Sequence, residues 1–231
     1  KKKKTGGSNN VALGYFALTT EDGHGRNVAI GNEALKLQNA GQDAYNVAVG
    51  YQAGLNVSTG IYNTIMGGSA GDAMTTGSQS VFIGYSAGGS TTVGTENVAI
   101  GSYALLANVD GSKSTAVGNF ALRNQEPDSA VDMFNVAVGH NAGYSLSTST
   151  GNVLLGAFSG DAVMTGIENT FVGLHSGGGN TSGDRGVAVG GYALASNTVG
   201  ARNIAVGHGV LKTNVNGFYF LAIGYAVFFF F

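Results

Sequence analysis

A chain of 231 residues with 40 glycines, one proline, no cysteine, 43% hydrophobic and 10% charged residues is excluded from several classes at once. It lacks the three-residue period and the prolines of collagen, is too apolar for a disordered linker, and can hold no disulfide framework, thiolate metal site or cysteine nucleophile. The formal net charge is −2; with Lys1–Lys4 set aside, seven basic residues face 13 acids, a mildly acidic body poorly suited to nucleic acid.

From the N-terminus, Lys1–Lys4 is not followed by the apolar stretch of a secretory signal. At the other end, the apolar residues 218–231 fall short of the ~20 that a spanning helix needs, so no membrane insertion is expected. The lysine run and the closing Phe228–Phe231 read as tags or truncated boundaries, which makes segments 1–7 and 228–231 terminal and the remainder an internal piece of a longer fibrous chain.

Between them runs one repeat: Asn, aliphatic, small, aliphatic, Gly. It is seen as Asn27-Val28-Ala29-Ile30-Gly31, Asn46-Val47-Ala48-Val49-Gly50, Asn97-Val98-Ala99-Ile100-Gly101 and Asn135-Val136-Ala137-Val138-Gly139. The glycine recurs at Gly14, Gly31, Gly50, Gly67, Gly84, Gly101, Gly118, Gly139, Gly156, Gly173, Gly190, Gly207 and Gly224; ten of the twelve intervals are 17 residues and the others 19 and 21. A small residue follows three positions later (Ala17, Ala34, Ala53 and onward), and a second glycine ten positions later (Gly41, Gly60, Gly77 and onward).

Seventeen residues cannot form a core alone, so successive coils must stack. The reading is an all-β protein: a parallel β-solenoid of thirteen coils over residues 8–227, about 60 Å long at ~4.8 Å per strand. In each three-residue run the outer two side chains share one face. The two Val/Ile columns are the expected core. The Ala column between them is expected to allow close approach of another layer or chain. Glycines supply positive φ at the corners, and the Asn column is expected to stack along the axis and shield turn backbone.

A larger period overlies the first. Four residues after the motif glycine, Leu occurs in two coils and then Gly in three: Leu18, Leu35, Gly54, Gly71, Gly88, then Leu105, Leu122, Gly143, Gly160, Gly177, then Leu194 and Leu211. The fourth and fifth coils replace the strand alanine by Ile65, Phe82, Leu154 and Phe171, and Gly71-Asp72-Ala73-Met74 matches Gly160-Asp161-Ala162-Val163. Five-coil cassettes therefore span roughly 10–96, 97–185 and, incompletely, 186–227. The two long intervals place extra residues in loops 36–45 and 123–134, whose Gln42, Asp43, Glu126, Pro127, Asp128 and Asp132 are expected to protrude.

Catalytic and metal signatures are weak throughout. His24, His140, His175 and His208 form no His-x-His pair; His140 and His208 both follow a motif glycine and should stand about 19 Å apart. In a trimer one of them would form a ring able to bind an ion; otherwise they are polar surface. Gly177-Gly178-Gly179 lacks the lysine of a phosphate loop. Thr75-Thr76 and Thr91-Thr92 raise ice binding but form no continuous column, and the acids lie mostly in separate loops. No catalytic residue, metal or cofactor is assigned, and no enzyme activity is expected. Tyr15, Tyr51, Tyr85 and Tyr225 share the position after the motif glycine and read either as packing or interchain contacts or as a stacking surface for sugars.

The Asn-Val-Ala-Ile-Gly motif with its following alanine resembles the head repeats of trimeric autotransporter adhesins. The longer form, Asn46-Val47-Ala48-Val49-Gly50-Tyr51-Gln52-Ala53-Gly54, resembles repeats of bacteriophage tail fibres and related virion structural proteins. Covering about residues 8–227, the resemblance implies a left-handed parallel β-roll, a homotrimer with coils in register, contact with other fibre segments, and attachment to a host-surface glycan or protein. The steady 17-residue period and the cassette depart from adhesin heads and favour a virion tail fibre; the alternative is a bacterial surface adhesin head or another extracellular filament.

Overall fold

The computed structural model describes residues 7–21, 23–162 and 165–227; the Lys1–Lys4 and Phe228–Phe231 runs and the cassette position Val163 lie outside the described residues. Thirteen three-residue strands follow in order: β1 (Val11–Leu13), β2 (Val28–Ile30), β3 (Val47–Val49), β4 (Thr64–Met66), β5 (Val81–Ile83), β6 (Val98–Ile100), β7 (Thr115–Val117), β8 (Val136–Val138), β9 (Val153–Leu155), β10 (Thr170–Val172), β11 (Val187–Val189), β12 (Ile204–Val206) and β13 (Leu221–Ile223). They form a single parallel sheet in which each strand pairs only with its sequence neighbours, a β-solenoid. Register is strict: Ala12 faces Ala29, and Ala116 faces Ala137 although four additional residues intervene. The stacking of equivalent residues expected from the period is therefore the architecture.

The expected core is inverted. From β2 onward the middle residue of each strand points inward: Ala29, Ala48, Ile65, Phe82, Ala99, Ala116, Ala137 and Leu154 are all fully buried, whereas Ala12 of the terminal β1 is exposed. The flanking Val/Ile columns look outward and remain half-buried or exposed, with Met66 at 40% and Ile100 at 36%. Alternation fixes that the middle and outer residues part company, but not which goes inside. The interior decides. Opposite the sheet, the chain makes two consecutive tight turns, such as Ala53 N–H to the Gly50 carbonyl (3.4 Å) and Val57 N–H to the Gly54 carbonyl (3.1 Å). That leaves room for one strand side chain, the small column (Ala34, Ala53, Ala70) and little else.

The Leu/Gly column explains the cassette. Leu18, Leu35, Leu105 and Leu122 sit there with positive φ between 46° and 53°, and Gly54, Gly71, Gly88 and Gly143 with φ between 50° and 60°. Leucine tolerates that backbone, so glycine is chosen for volume. A β-carbon on Gly71 would come 2.9 Å from Cδ2 of Phe82, and one on Gly143 would come 2.8 Å from Leu122 Cδ2 and Leu154 Cδ1. In the first two coils of a cassette the strand supplies alanine and leucine fills the coil from the far wall; in the last two, Ile65, Phe82, Leu154 or Phe171 fills it and the far wall retreats to glycine. In the third coil both positions are small (Ala48 with Gly54, Ala137 with Gly143), and side chains of the adjacent coils reach in: a β-carbon on Gly54 would lie 2.9 Å from Ile65 Cδ1 and 3.1 Å from Leu35 Cδ2. Core volume is conserved by exchange between two columns, as dense packing requires.

Two further columns hold the stack. At Asn46, which is fully buried, Oδ1 accepts the N–H of Asn63 (2.8 Å), while Nδ2 donates to the Gly60 carbonyl (2.8 Å) and to Oε1 of Gln38 (2.7 Å). The same pattern links Asn63 to Ser80, Asn97 to Ser114, and Asn152 to Asn169, as the sequence led one to expect. The motif glycines do adopt positive φ, from 126° to 145°. The second glycines at 60, 77, 94, 166, 183 and 200 do not. They are required by close approach instead: a β-carbon on Gly77 would meet the Gly94 carbonyl at 2.6 Å.

Candidate functional site

Three parallel rows face outward along the rod, each fixed by one position in the coil. The central row is the outer face of the sheet, two columns of Val, Ile, Leu, Met and Thr running through all thirteen strands. Its exposed members include Val11, Leu13, Met66, Ile100, Val138, Val189, Ile204, Leu221 and Ile223. Monomeric proteins seldom leave a contiguous apolar face uncovered.

On the side after the motif glycine lies an aromatic row. The turn there has positive φ at its third residue (Gln52 54°, Ser86 50°, Phe120 60°), as type II turns require. The strain of an L-residue in that region is offset by an intercoil bond, for example Gln52 N–H to the Asn32 carbonyl (2.8 Å). Rings at the first and second turn positions form one continuous row: Tyr85, Tyr103, Phe120, His140, Phe158, His175, Tyr192, His208 and Tyr225, with neighbouring centroids 4.8–6.0 Å apart. From Phe120 onward, aromatic rings and imidazoles alternate. His140 and His208 are thus separated by three intervening rings, and His175 joins them in the same row.

The tyrosines singled out from the sequence are the projecting members of this side. Tyr15, Tyr51 and Tyr85 are 68%, 57% and 53% exposed, whereas Tyr103, Phe120, Phe158, His175 and Tyr192, one position later, are half-buried. Tyr85 leans over the preceding coil, its Cδ2 lying 3.5 Å from where a β-carbon on Gly68 would be. The half-buried rings were not foreseen. The signal for them is that each coil from Tyr85 to Tyr225 has one ring within the two residues after its motif glycine.

The third row, just before the Asn column, mixes charge and rings between coils. Arg26 pairs with Asp43 (2.7 Å) and lies over Tyr45; Lys113 pairs with Asp132 (2.7 Å) and lies over Phe134; Arg185 pairs with Glu168 (2.6 Å); Arg202 donates to Tyr219 Oη (2.8 Å). The Asp132 contact raises the Lys113 ammonium above its ordinary range.

The two long loops protrude only in part. Gln42, Asp128 and Asp132 are exposed, but Asp43 and Glu126 are half-buried and Pro127 is buried. Pro127 corrects the expectation that the whole loop bulges: its Cγ lies 3.2 Å from a β-carbon placed on Gly111, so the ring packs back on the preceding coil. Glu126 Oε2 accepts the Val109 N–H (3.0 Å); burial, with Asp110 and Asp128 nearby, nevertheless pushes its carboxyl up. The loop then rejoins the ladder through Met133 N–H to the Ser112 carbonyl (2.9 Å).

The remaining motifs have structural uses. Gly177 abuts the Phe171 ring, and β-carbons on Gly178 and Gly179 would meet Asp161 Oδ1 at 3.1 Å and the Ala195 carbonyl at 2.6 Å. The Thr75 hydroxyl donates to the Thr92 carbonyl (3.2 Å), binding coil to coil. Asp72 and Asp161, the cassette pair, are half-buried, and burial raises both carboxyls. Among the described residues no three His, Cys, Asp or Glu side chains gather as a metal site. No protein-family model, curated protein or solved structure matches this chain.

Proposed function

We propose that this chain is a shaft segment of a virion tail fibre, a structural and adhesive rod that associates as a homotrimer and contributes to host-surface attachment. The observation that carries the reading is the outward Val/Ile face. Thirteen strands in perfect register present an apolar strip along the full length of the rod, while the interior is already filled by another column. A strip of that length is stabilised when equivalent strips of other copies cover it, and threefold repetition then multiplies weak contacts made by the flanking rows. Stiffness follows from the intercoil bonds of the Asn column.

Light scattering on the isolated chain tests this. A particle mass of three chains supports the fibre; a single-chain mass at micromolar concentration overturns it. The second reading, the head of a bacterial trimeric surface adhesin, shares the strip, and flanking sequence separates the two: heptads leading to a membrane β-barrel mark the adhesin, a baseplate-binding domain the fibre.

A further inference from the structure

From the spacing of Tyr15, Tyr51 and Tyr85 we infer a binding track for an extended β-linked polysaccharide, running along coils one to five. The three tyrosines occupy the same position in the first, third and fifth coils. Strict strand register (Val11 to Val28 to Val47 to Thr64 to Val81) sets their backbones two strand spacings apart, about 9.6 Å. They are the most exposed rings on this side within these coils, Tyr15 also touching the Phe16 ring, and the fold does not need them: the same turn position is held by Asn32, Gly68, Ser102 and Asn119 in other coils.

What lies between the rings is polar or absent. In the second coil Asn32 is exposed, and Glu33, held ionised by bonds from Gln52 Nε2 (2.8 Å) and Lys36 Nζ (2.6 Å), stands beside it. In the fourth coil Gly68 and Ser69 carry no ring, and the Tyr85 ring reaches back over Gly68. The column therefore alternates tyrosine, polar Asn32, tyrosine, small Gly68, tyrosine.

A ligand that matches must show an apolar face once per two coils and hydroxyls between. In an extended β-1,4-linked pyranose chain successive sugars are flipped, so the same C–H face recurs once per disaccharide. Tyrosine rings stack on such faces with little loss of side-chain freedom, having only two rotatable bonds. Coiled α-linked glucans turn away from a straight line and cannot reach all three rings. The inference rests on the fibre reading for its biological setting and names the receptor class of that surface; its chemistry rests on coil geometry alone.

The test is calorimetric titration of the intact chain with cellohexaose, a charge-free representative of the class, and with maltohexaose. Cellohexaose is expected to bind at least tenfold more tightly than maltohexaose and than cellobiose, because only the longer chain spans several rings. Tyr51→Ala should weaken cellohexaose at least tenfold, Tyr51→Phe should retain it, and Tyr225→Ala, in the same column but eight coils from Tyr85, should leave it unchanged; circular dichroism checks that each variant is folded. Equal binding of the two hexaoses, no heat with either at millimolar ligand, or an unaffected Tyr51→Ala would each overturn the track. Light scattering on the same samples separates the two proposals: three-chain mass without cellohexaose binding removes the track alone, and single-chain mass with binding removes the fibre alone.

Discussion

Phe82 and Gly88 occupy each other's missing volume: a β-carbon placed on Gly88 would lie 2.7 Å from both Cε2 and Cζ of the Phe82 ring. Phe82→Ala should cost about 3–5 kcal/mol by leaving a cavity, and Gly88→Leu should cost about as much by overpacking. Together they recreate the Ala/Leu pairing of neighbouring coils such as Ala99 with Leu105. The double variant is therefore expected to recover at least about 2 kcal/mol relative to the sum of the singles. Urea denaturation of the four proteins measures this; additive losses would mean that the two columns do not share one volume.

The outward strip should be separable from folding. Val98 and Ile100 lie on that face, half-buried and 36% exposed, and contribute little to the interior. Val98→Lys with Ile100→Lys is expected to keep the β-rich circular dichroism spectrum while shifting the particle mass to one chain. Loss of the spectrum instead would show that the strip supports the monomer's own fold.

The Asn column should be costly to interrupt. Replacing Asn46 by Ala leaves the Asn63 N–H, the Gly60 carbonyl and Gln38 without that partner in a fully buried setting. A loss of about 2–4 kcal/mol is expected, against less than about 0.5 for Asn32→Ala on the surface. Thermal melts of the two variants distinguish them, and equal melts would remove the column's role in holding the stack.

Thr91 points the other way. Its hydroxyl is buried without a partner, at a position where the sister coils carry Val57, Met74 and Leu146. Thr91→Val should raise stability by about 1–2 kcal/mol in the same denaturation assay, since an unpaired buried hydroxyl is replaced by a methyl of equal shape.

Asp72 and Asp161 set a pH trend. Burial raises both folded-state values above the ordinary 3.8, outweighing the backbone N–H bonds they accept and, for Asp161, the neighbouring His175. The folded chain then holds these protons more tightly than the unfolded chain. Their contribution is least favourable when both are ionised, and stability from them rises as pH falls through the folded values toward 3.8. Asp72→Asn with Asp161→Asn should gain stability at neutral pH, and the gain should shrink on acidification; a gain that grows with acid would reverse the assigned cause.

The period, strand positions and register were readable because backbone stacking admits no other use for a motif glycine every 17 residues. Which face of Val28-Ala29-Ile30 turned inward was not. Two bulky residues around one small one look like a core with a spacer, yet the narrow coil accepts only Ala29 and sends Val28 and Ile30 outward. Volume, not polarity, made the choice. The exchange of Phe82 for Leu105-type packing was visible as a superperiod, but its meaning required knowing that both columns line one interior. Tyr15, Tyr51 and Tyr85 were found because they share a column; Tyr103, Phe120, Phe158, His175 and Tyr192 stand one residue later, where positive φ brings them into the same row.

β7 and β8 remain paired residue for residue across the longest connection in the array, with Thr115 opposite Val136 and Val117 opposite Val138. Added chain at that corner leaves the strand register unchanged, and by loop-closure entropy even a doubling of its length costs only about 0.6 kcal/mol. The corner between Asp128 and Asp132 is accordingly a grafting port, through which foreign peptides of quite different size can be displayed at a fixed height without renumbering the scaffold beneath them.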